Sequence, residues 1–443
     1  MKAHQITVRT LLSLLGVATI QCFMAASAWA GADPMTSPQY CGGCHTRIYQ
    51  EWKSSAMGRD LDNPVVYQFY TGINGKGQPD GIGYQPFTHG EKGDCADCHV
   101  PQLTLDEHKV GREVDLGIAL KDQLDHGISC NFCHTLDQVH INKDPDGRYE
   151  TRLYKTVEQD ATGAKHGPIR GAVSPAHAIK YSELHKDSKL CGTCHLNQEK
   201  FLSISTYADW KEAYASGKTH DTCQTCHMPL HQNKVELAVG GPLRDGVRSH
   251  TFIGASDPEM LKKALELKLT TRIEGNTLVV TTTVENVGAG HRVPGSGPIR
   301  NVILKVDATR PDGQPLQYVG DTKLLLPNLA GAGNPKTGER DAQDWAGLPG
   351  KMYAKVYQSA VMPNGQKMIG VGGFAADTIL FDTALKPFEP DVTEYRFALP
   401  QAKGNIRIKA ELTYRWVFKP LADSKGWSVS DRPMREASQA VSF

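Results

Sequence analysis

Cysteine outside one repeated pattern is almost wholly missing from this chain. Of the 443 residues 11 are cysteines; ten fall in copies of one pentapeptide and the last, Cys22, lies near the N-terminus. No thiol is left for a disulfide, an iron–sulfur cluster or a nucleophile. A charge excess is missing too: 49 basic and 48 acidic residues leave a net +1 with no long run of one sign. That balance argues against nucleic acid or an anionic membrane as partner. No apolar run reaches the about 20 residues that a membrane span needs. A phosphate loop is lacking as well, because Gly370-Val371-Gly372-Gly373 has no Lys-Ser/Thr ending and sits among strand patterns, where a turn or bulge is expected.

What is there is one pentapeptide, five times: Cys41-Gly42-Gly43-Cys44-His45, Cys95-Ala96-Asp97-Cys98-His99, Cys130-Asn131-Phe132-Cys133-His134, Cys191-Gly192-Thr193-Cys194-His195 and Cys223-Gln224-Thr225-Cys226-His227. Chance supplies about 0.01 copies in a chain of this length. Zinc would want paired C-x-x-C sets and no histidine after every second cysteine. A thioredoxin-like motif would occur once, beside a βαβ pattern absent here. The pattern reads as covalent haem c attachment. Both thiols form thioethers to the haem vinyl groups, and His45, His99, His134, His195 and His227 ligate the irons from the proximal side. Five covalently bound haem c groups are expected.

The first thirty residues have a basic start (Lys2, Arg9), an apolar stretch from Leu11 to Ile20 ended by Gln21, and Ala28-Trp29-Ala30 before Gly31. This reads as a cleaved signal peptide over 1–30. Cys22 lacks the small residue directly before it that lipid attachment wants, so it is expected to leave with that segment. Since c-type haem is attached outside the bacterial cytoplasmic membrane, the expected location is the periplasm, with the outer cell surface as the alternative.

Two halves of different composition follow. Residues 31–256 carry all five motifs at about 45 residues each, too few to build an apolar core around every cofactor. Gly, Pro and Asn punctuate this segment, as in Asn74-Gly75-Lys76-Gly77-Gln78-Pro79-Asp80-Gly81, so short helices and loops wrapped around a close-packed haem array are expected. Residues 257–443 change register. Asp257-Pro258-Glu259 opens a short helix, and period-two patterns follow at Leu278, Val280, Thr282, Val284, at Val302, Leu304, Val306, Ala308, and at Ile406, Ile408, Ala410, Leu412, Tyr414, Trp416. Turn signals separate the runs at Glu274-Gly275-Asn276, Pro311-Asp312-Gly313 and Pro363-Asn364-Gly365. The expected fold class is α + β multidomain: an irregular, short-helical pentahaem unit followed by an antiparallel, immunoglobulin-like β-sandwich.

Function turns on the distal side of each iron. A haem closed by two protein ligands passes electrons, whereas an open one can transform a small molecule. Eleven histidines lie outside the motifs after residue 30. His177 and His185 lead into the fourth motif, His250 follows the fifth, and His291 sits in the glycine-rich Asn286-Val287-Gly288-Ala289-Gly290-His291-Arg292-Val293-Pro294-Gly295, where the backbone can approach a flat cofactor closely. Met57, in Trp52-Lys53-Ser54-Ser55-Ala56-Met57-Gly58-Arg59, is the methionine candidate. His89 and His126, each shortly before a motif, are held in reserve.

At these residues the chain resembles a multihaem cytochrome family related to the cytochrome c-554 group, in which haem sites precede a β-rich C-terminal domain. The similar stretches are Trp52 to Arg59, Gly127-Ile128-Ser129 with the third motif, Ser174 to His195, Thr222 to Pro229 and Gly288 to Pro294. The resemblance implies respiratory electron transfer in the periplasm or at the surface, and names no substrate.

The leading expectation is an electron carrier between respiratory partners, either other cytochromes or quinol-linked membrane complexes, more a carrier than an enzyme. An alternative is a reductase or oxidase of a small nitrogen or sulfur compound at one open haem; no C-x-x-C-K site of an ammonia-forming nitrite reductase is present. A further alternative makes the chain a subunit of a conductive surface assembly, with the oligomeric state left open.

Overall fold

The structure, a computed structural model, describes residues 36–443 apart from 296, 322–324, 335–336, 362–364 and 366. The expected signal segment and Cys22 lie outside the described residues. No helix among those described is long and apolar enough to cross a membrane.

Before residue 257 the chain is built from short pieces. The five motifs wind into helices or single turns: α1 (Pro38–Cys44) leads to His45 and α2 (Thr46–Ser54) leaves it; α3 (Pro64–Thr71) follows; α4 (Cys95–His99), α5 (Cys130–Thr135), α6 (Lys189–Gly192) and α7 (Cys223–His227) carry the other motifs. Helical winding puts residues three and four apart on one face, so each motif's two thiols and histidine are presented together. The residue ahead of two motifs caps the turn: Ser129 accepts from the Phe132 N–H and Thr222 from the Thr225 N–H. Apolar packing here is divided among small clusters, such as Tyr70, Tyr84, Val100 and Leu116, or Phe132, Leu136, Val139 and Leu153.

After residue 257 the chain forms regular structure. Helix α8 (Pro258–Ala264) starts where the sequence places it, its Asp257 side chain accepting from the Met260 N–H at 2.7 Å. Three long strands make one sheet, ordered β7 (Pro390–Ala398), β2 (Thr277–Asn286), β1 (Leu265–Glu274). Four make a second, ordered β4 (Gly350–Tyr353), β3 (Asn301–Thr309), β8 (Asn405–Arg415), β9 (Asp431–Ser442). A ladder of β5 (Lys355–Ser359) and β6 (Ala376–Asp382) stands beside them. All these pairings are antiparallel.

The period-two residues supply the core. Leu278, Val280 and Val284 of β2 meet Val302, Leu304 and Val306 of β3 and Ile406, Ile408 and Ala410 of β8 in one buried cluster. Gly275, at φ +58°, turns β1 into β2. Trp416 lies just past the end of β8, and most of the Pro363-Asn364-Gly365 signal lies outside the described residues. The Gly370–Gly373 stretch is a turn packed on Phe418 and Phe374.

The two halves pack together. Helix α9 (Lys419–Lys425) places the buried Lys425 ammonium 2.9 Å from Asp80 and 3.0 Å from the Ile73 carbonyl, while Gly75 N–H donates to the Lys425 carbonyl at 2.7 Å. Phe374 is surrounded by Phe69, Tyr84 and Phe87, and Tyr357 stacks on Phe201.

Candidate functional site

Three motif histidines face a histidine from elsewhere in the chain. The ring centres of His45 and His177 are 6.2 Å apart, those of His134 and His250 are 6.2 Å apart, and those of His227 and His291 are 6.3 Å apart. Two imidazoles ligating one metal from opposite sides have ring centres about 6.2 Å apart, from metal–nitrogen distances of about 2.0 Å and about 1.1 Å from nitrogen to ring centre. The spacing therefore fits one metal between each pair. His99 and His195 are the motif rings outside these three pairs.

The outer nitrogens are held. Nδ1 of His45 donates to the Leu237 carbonyl at 2.6 Å, that of His134 to the His166 carbonyl at 2.7 Å, and that of His227 to the Ile253 carbonyl at 2.6 Å. His250 and His291 use Nδ1 in the same way on Arg248 and Arg292, at 3.2 and 2.8 Å. Such bonds fix the tautomer and leave Nε2 as the free lone pair. His99 differs: its Nδ1 is 2.7 Å from a carboxylate oxygen of Asp60.

Burial pushes His134 and His291 below the ordinary histidine value and takes His195 and His250 down to about 4. These rings are thus neutral, the form that binds metal. Burial acts the same way on His99, but Asp60 more than offsets it and its pKa is raised.

The turn that delivers His291 is tied by Asn286, a fully buried residue. Its Nδ2 donates to the His291 carbonyl at 2.8 Å and its Oδ1 accepts from the Ala289 N–H at 3.1 Å. Val293 and Leu385 exchange two backbone bonds on the other side, at 2.9 and 2.8 Å. Asp60 and the carbonyl acceptors of Leu237, His166 and Ile253 are not legible in the sequence, because their roles depend on contacts up to 192 residues away.

The motifs themselves are adjacent. Helix α1 packs against α5, the Cys98 thiol lies 4.0 Å from the Cys194 carbonyl, and the Cys223 N–H and Gln224 Nε2 donate to Ser188 Oγ and the Asp187 carbonyl just ahead of motif 4, at 2.9 and 2.8 Å. The segment leading into motif 4 reaches motif 3 as well, through His185 Nε2 on the Cys133 carbonyl at 3.0 Å.

Among the other expected residues, His185 is buried and sits 5.4 Å from the His134 ring, but its Nε2–H donates to the Cys133 carbonyl and its Nδ1 accepts from Ser182 Oγ, both at 3.0 Å. With both nitrogens bonded, His185 braces the third motif's turn. Met57 is half-buried and belongs to the loop that carries Asp60, whose N–H bonds the Met57 carbonyl; the ring facing His45 is that of His177. His89 and His126 are exposed.

Beside the His291 turn is a small pocket lined by Ser203, Ser205, Arg292, Arg300 and Lys355. Arg292 is paired with Asp209 and Asp382, each at 3.4 Å, whereas Arg300 donates to the Tyr414 hydroxyl and Lys355 to the Leu202 carbonyl. The Arg300 charge contributes to holding His195 neutral.

No family model matches the chain, and no curated protein matches it by sequence. Among solved structures it is similar to a penta-heme cytochrome c552 from Thermochromatium tepidum, at 19% identity and TM-score 0.62, covering 91% of this chain and 98% of that one. The likeness runs through both halves and defines the fold: a multihaem cytochrome architecture with a β-rich C-terminal part. Overlaps with β-glucosidase 3B from Thermotoga neapolitana and with the putative ApaA protein from Bordetella pertussis, both at 10% identity and TM-score 0.16, cover 40% and 39% of the chain and support no inference.

Proposed function

We propose that the chain is an exported pentahaem c-type cytochrome that relays electrons between respiratory partners, other cytochromes or quinol-linked complexes. The carrying observation is the three histidine pairs at 6.2–6.3 Å, each with its outer nitrogens already bonded. In this reading Cys41, Cys44, Cys95, Cys98, Cys130, Cys133, Cys191, Cys194, Cys223 and Cys226 hold five haems. His45, His99, His134, His195 and His227 would ligate their irons, with His177, His250 and His291 supplying the second ligand for the first, third and fifth. Bound haem supplies a one-electron couple. The chain's own residues fix the ligand rings, keep them neutral and exclude water, so that little rearrangement accompanies electron transfer. Adjacent motifs support a continuous path. The C-terminal unit, taken as an immunoglobulin-like sandwich, contributes His291 and so locks onto the array. Export to the periplasm belongs to the same proposal.

A second reading rests on the basic pocket. Arg300 and Lys355 line it and suit a small anion, the Arg300 charge acts on the motif 4 histidine outside the three pairs, and an open fourth haem would make the protein a reductase or oxidase of a small nitrogen or sulfur compound.

Haem content and low-temperature EPR of the oxidised holoprotein test both. Five haems with low-spin signals alone support the carrier. A stoichiometric high-spin signal that shifts on adding nitrite, hydroxylamine or sulfite supports the enzyme.

A further inference from the structure

His45, His134 and His227 donate Nδ1–H to neutral backbone carbonyls, whereas His99 donates to the Asp60 carboxylate at 2.7 Å. The Asp60 side chain is 12% exposed, and among the described residues its ion pair is with His99 alone. The loop that presents it is rigid. Trp52 Nε1–H anchors α2 to the Ile128 carbonyl at 2.9 Å, Ser55 Oγ donates to the Trp52 carbonyl at 2.7 Å, and the Gly58 N–H donates to Ser55 Oγ at 3.1 Å. A Cβ at Gly58 would lie 2.1 Å from the Trp52 carbonyl oxygen, so only glycine lets the chain turn back there. Asp60 then bonds Met57 through its N–H and Asn63 through its carbonyl, which leaves its carboxylate aimed at His99.

We propose that Asp60 is a positioning residue that acts through His99 to lower the reduction potential of the haem on motif 2, an inference that rests on the haem reading above. A carboxylate on the outer nitrogen draws the Nδ1 proton toward itself, making the ring a stronger electron donor at Nε2. The buried negative charge also favours the ferric over the ferrous state, because reduction adds one electron beside it. Backbone carbonyls supply a dipole without that charge.

The test is a spectroelectrochemical titration of the full holoprotein and of Asp60→Asn, with haem counted in each. The expected result is five haems in both and one midpoint raised in the variant, tenfold or more in the ferrous to ferric ratio at fixed potential, which is about 59 mV for a one-electron couple. Asp60→Glu, which keeps the charge, should restore most of the shift. Five unchanged midpoints in a fully loaded Asp60→Asn protein would overturn the proposal, as would an Asp60→Glu shift as large as that of Asp60→Asn. If Asp60→Asn does not mature, Asp60→Ser is the neutral variant to titrate. Wild-type protein without five covalent haems would instead defeat the haem reading, which the count separates from the failure of Asp60.

Discussion

At the scale of single residues, the histidines divide by what their nitrogens touch. His177, His250 and His291 keep Nε2 free, whereas His185 has both nitrogens bonded. Each of His177→Ala, His250→Ala and His291→Ala should therefore convert one low-spin haem to high-spin in EPR. His185→Ala should leave the spin states alone and reduce stability by about 1–3 kcal/mol, since it leaves the buried Cys133 carbonyl unpaired. Glu199 offers a pH effect. Its Oε2 is buried without a hydrogen-bond partner, and burial, with the Asp94 charge adding to it, lifts the carboxyl from an ordinary 4.5 to about 7. The folded protein holds this proton more tightly than the unfolded chain. Its stabilising contribution is complete below 4.5 and is lost as pH rises through about 7. Glu199→Gln should flatten that part of a plot of Tm against pH; an unchanged slope would place the proton elsewhere.

At the scale of elements, the turn between β2 and β3 does the most for the site. Asn286 at the end of β2 holds its carbonyl side, and the chain passes so close to α8 that a Cβ on Gly288 would lie 2.1 Å from the Lys263 carbonyl oxygen. Backbone cannot yield as a side chain tip can. Gly288→Ala should cost about 1–3 kcal/mol in denaturant unfolding and, under the proposed ligation by His227 and His291, broaden or shift one low-spin haem signal. A variant with wild-type stability and an unaltered signal would show that the turn has slack.

For the whole molecule, the joint between the halves is polar at its centre. Lys425, fully buried, reaches Asp80 at 2.9 Å and two carbonyls of α3 and the loop after it, those of Gln68 and Ile73, at 3.4 and 3.0 Å. Burial lowers its pKa against the opposing pull of Asp80. Removing one partner of such a pair leaves the other charge buried, so Lys425→Met should cost about 3–5 kcal/mol. Hydrogen exchange should then rise first around Gln68 to Ile82 while β2, β3 and β8 stay protected. Uniform loss of protection would mean that the two halves unfold as one cooperative unit.

The sequence by itself determined the five C-x-x-C-H motifs, the helix opening at Asp257 and the strands through Leu278, Val302 and Ile406, because each depends on residues within one or two turns or one strand of each other. Motif spacing places two thiols and a histidine on one helical face whatever surrounds it, and a period of two selects the buried face of a sheet. It also carried the candidates His177, His250 and His291, though not their partners. Which ring faces which, why His185 braces a turn, and why Asp60 sits on His99 were decided only by the tertiary structure. Those assignments need residues 39 to 132 positions apart to meet within a few ångströms, and no local pattern encodes the loop geometry that brings them together.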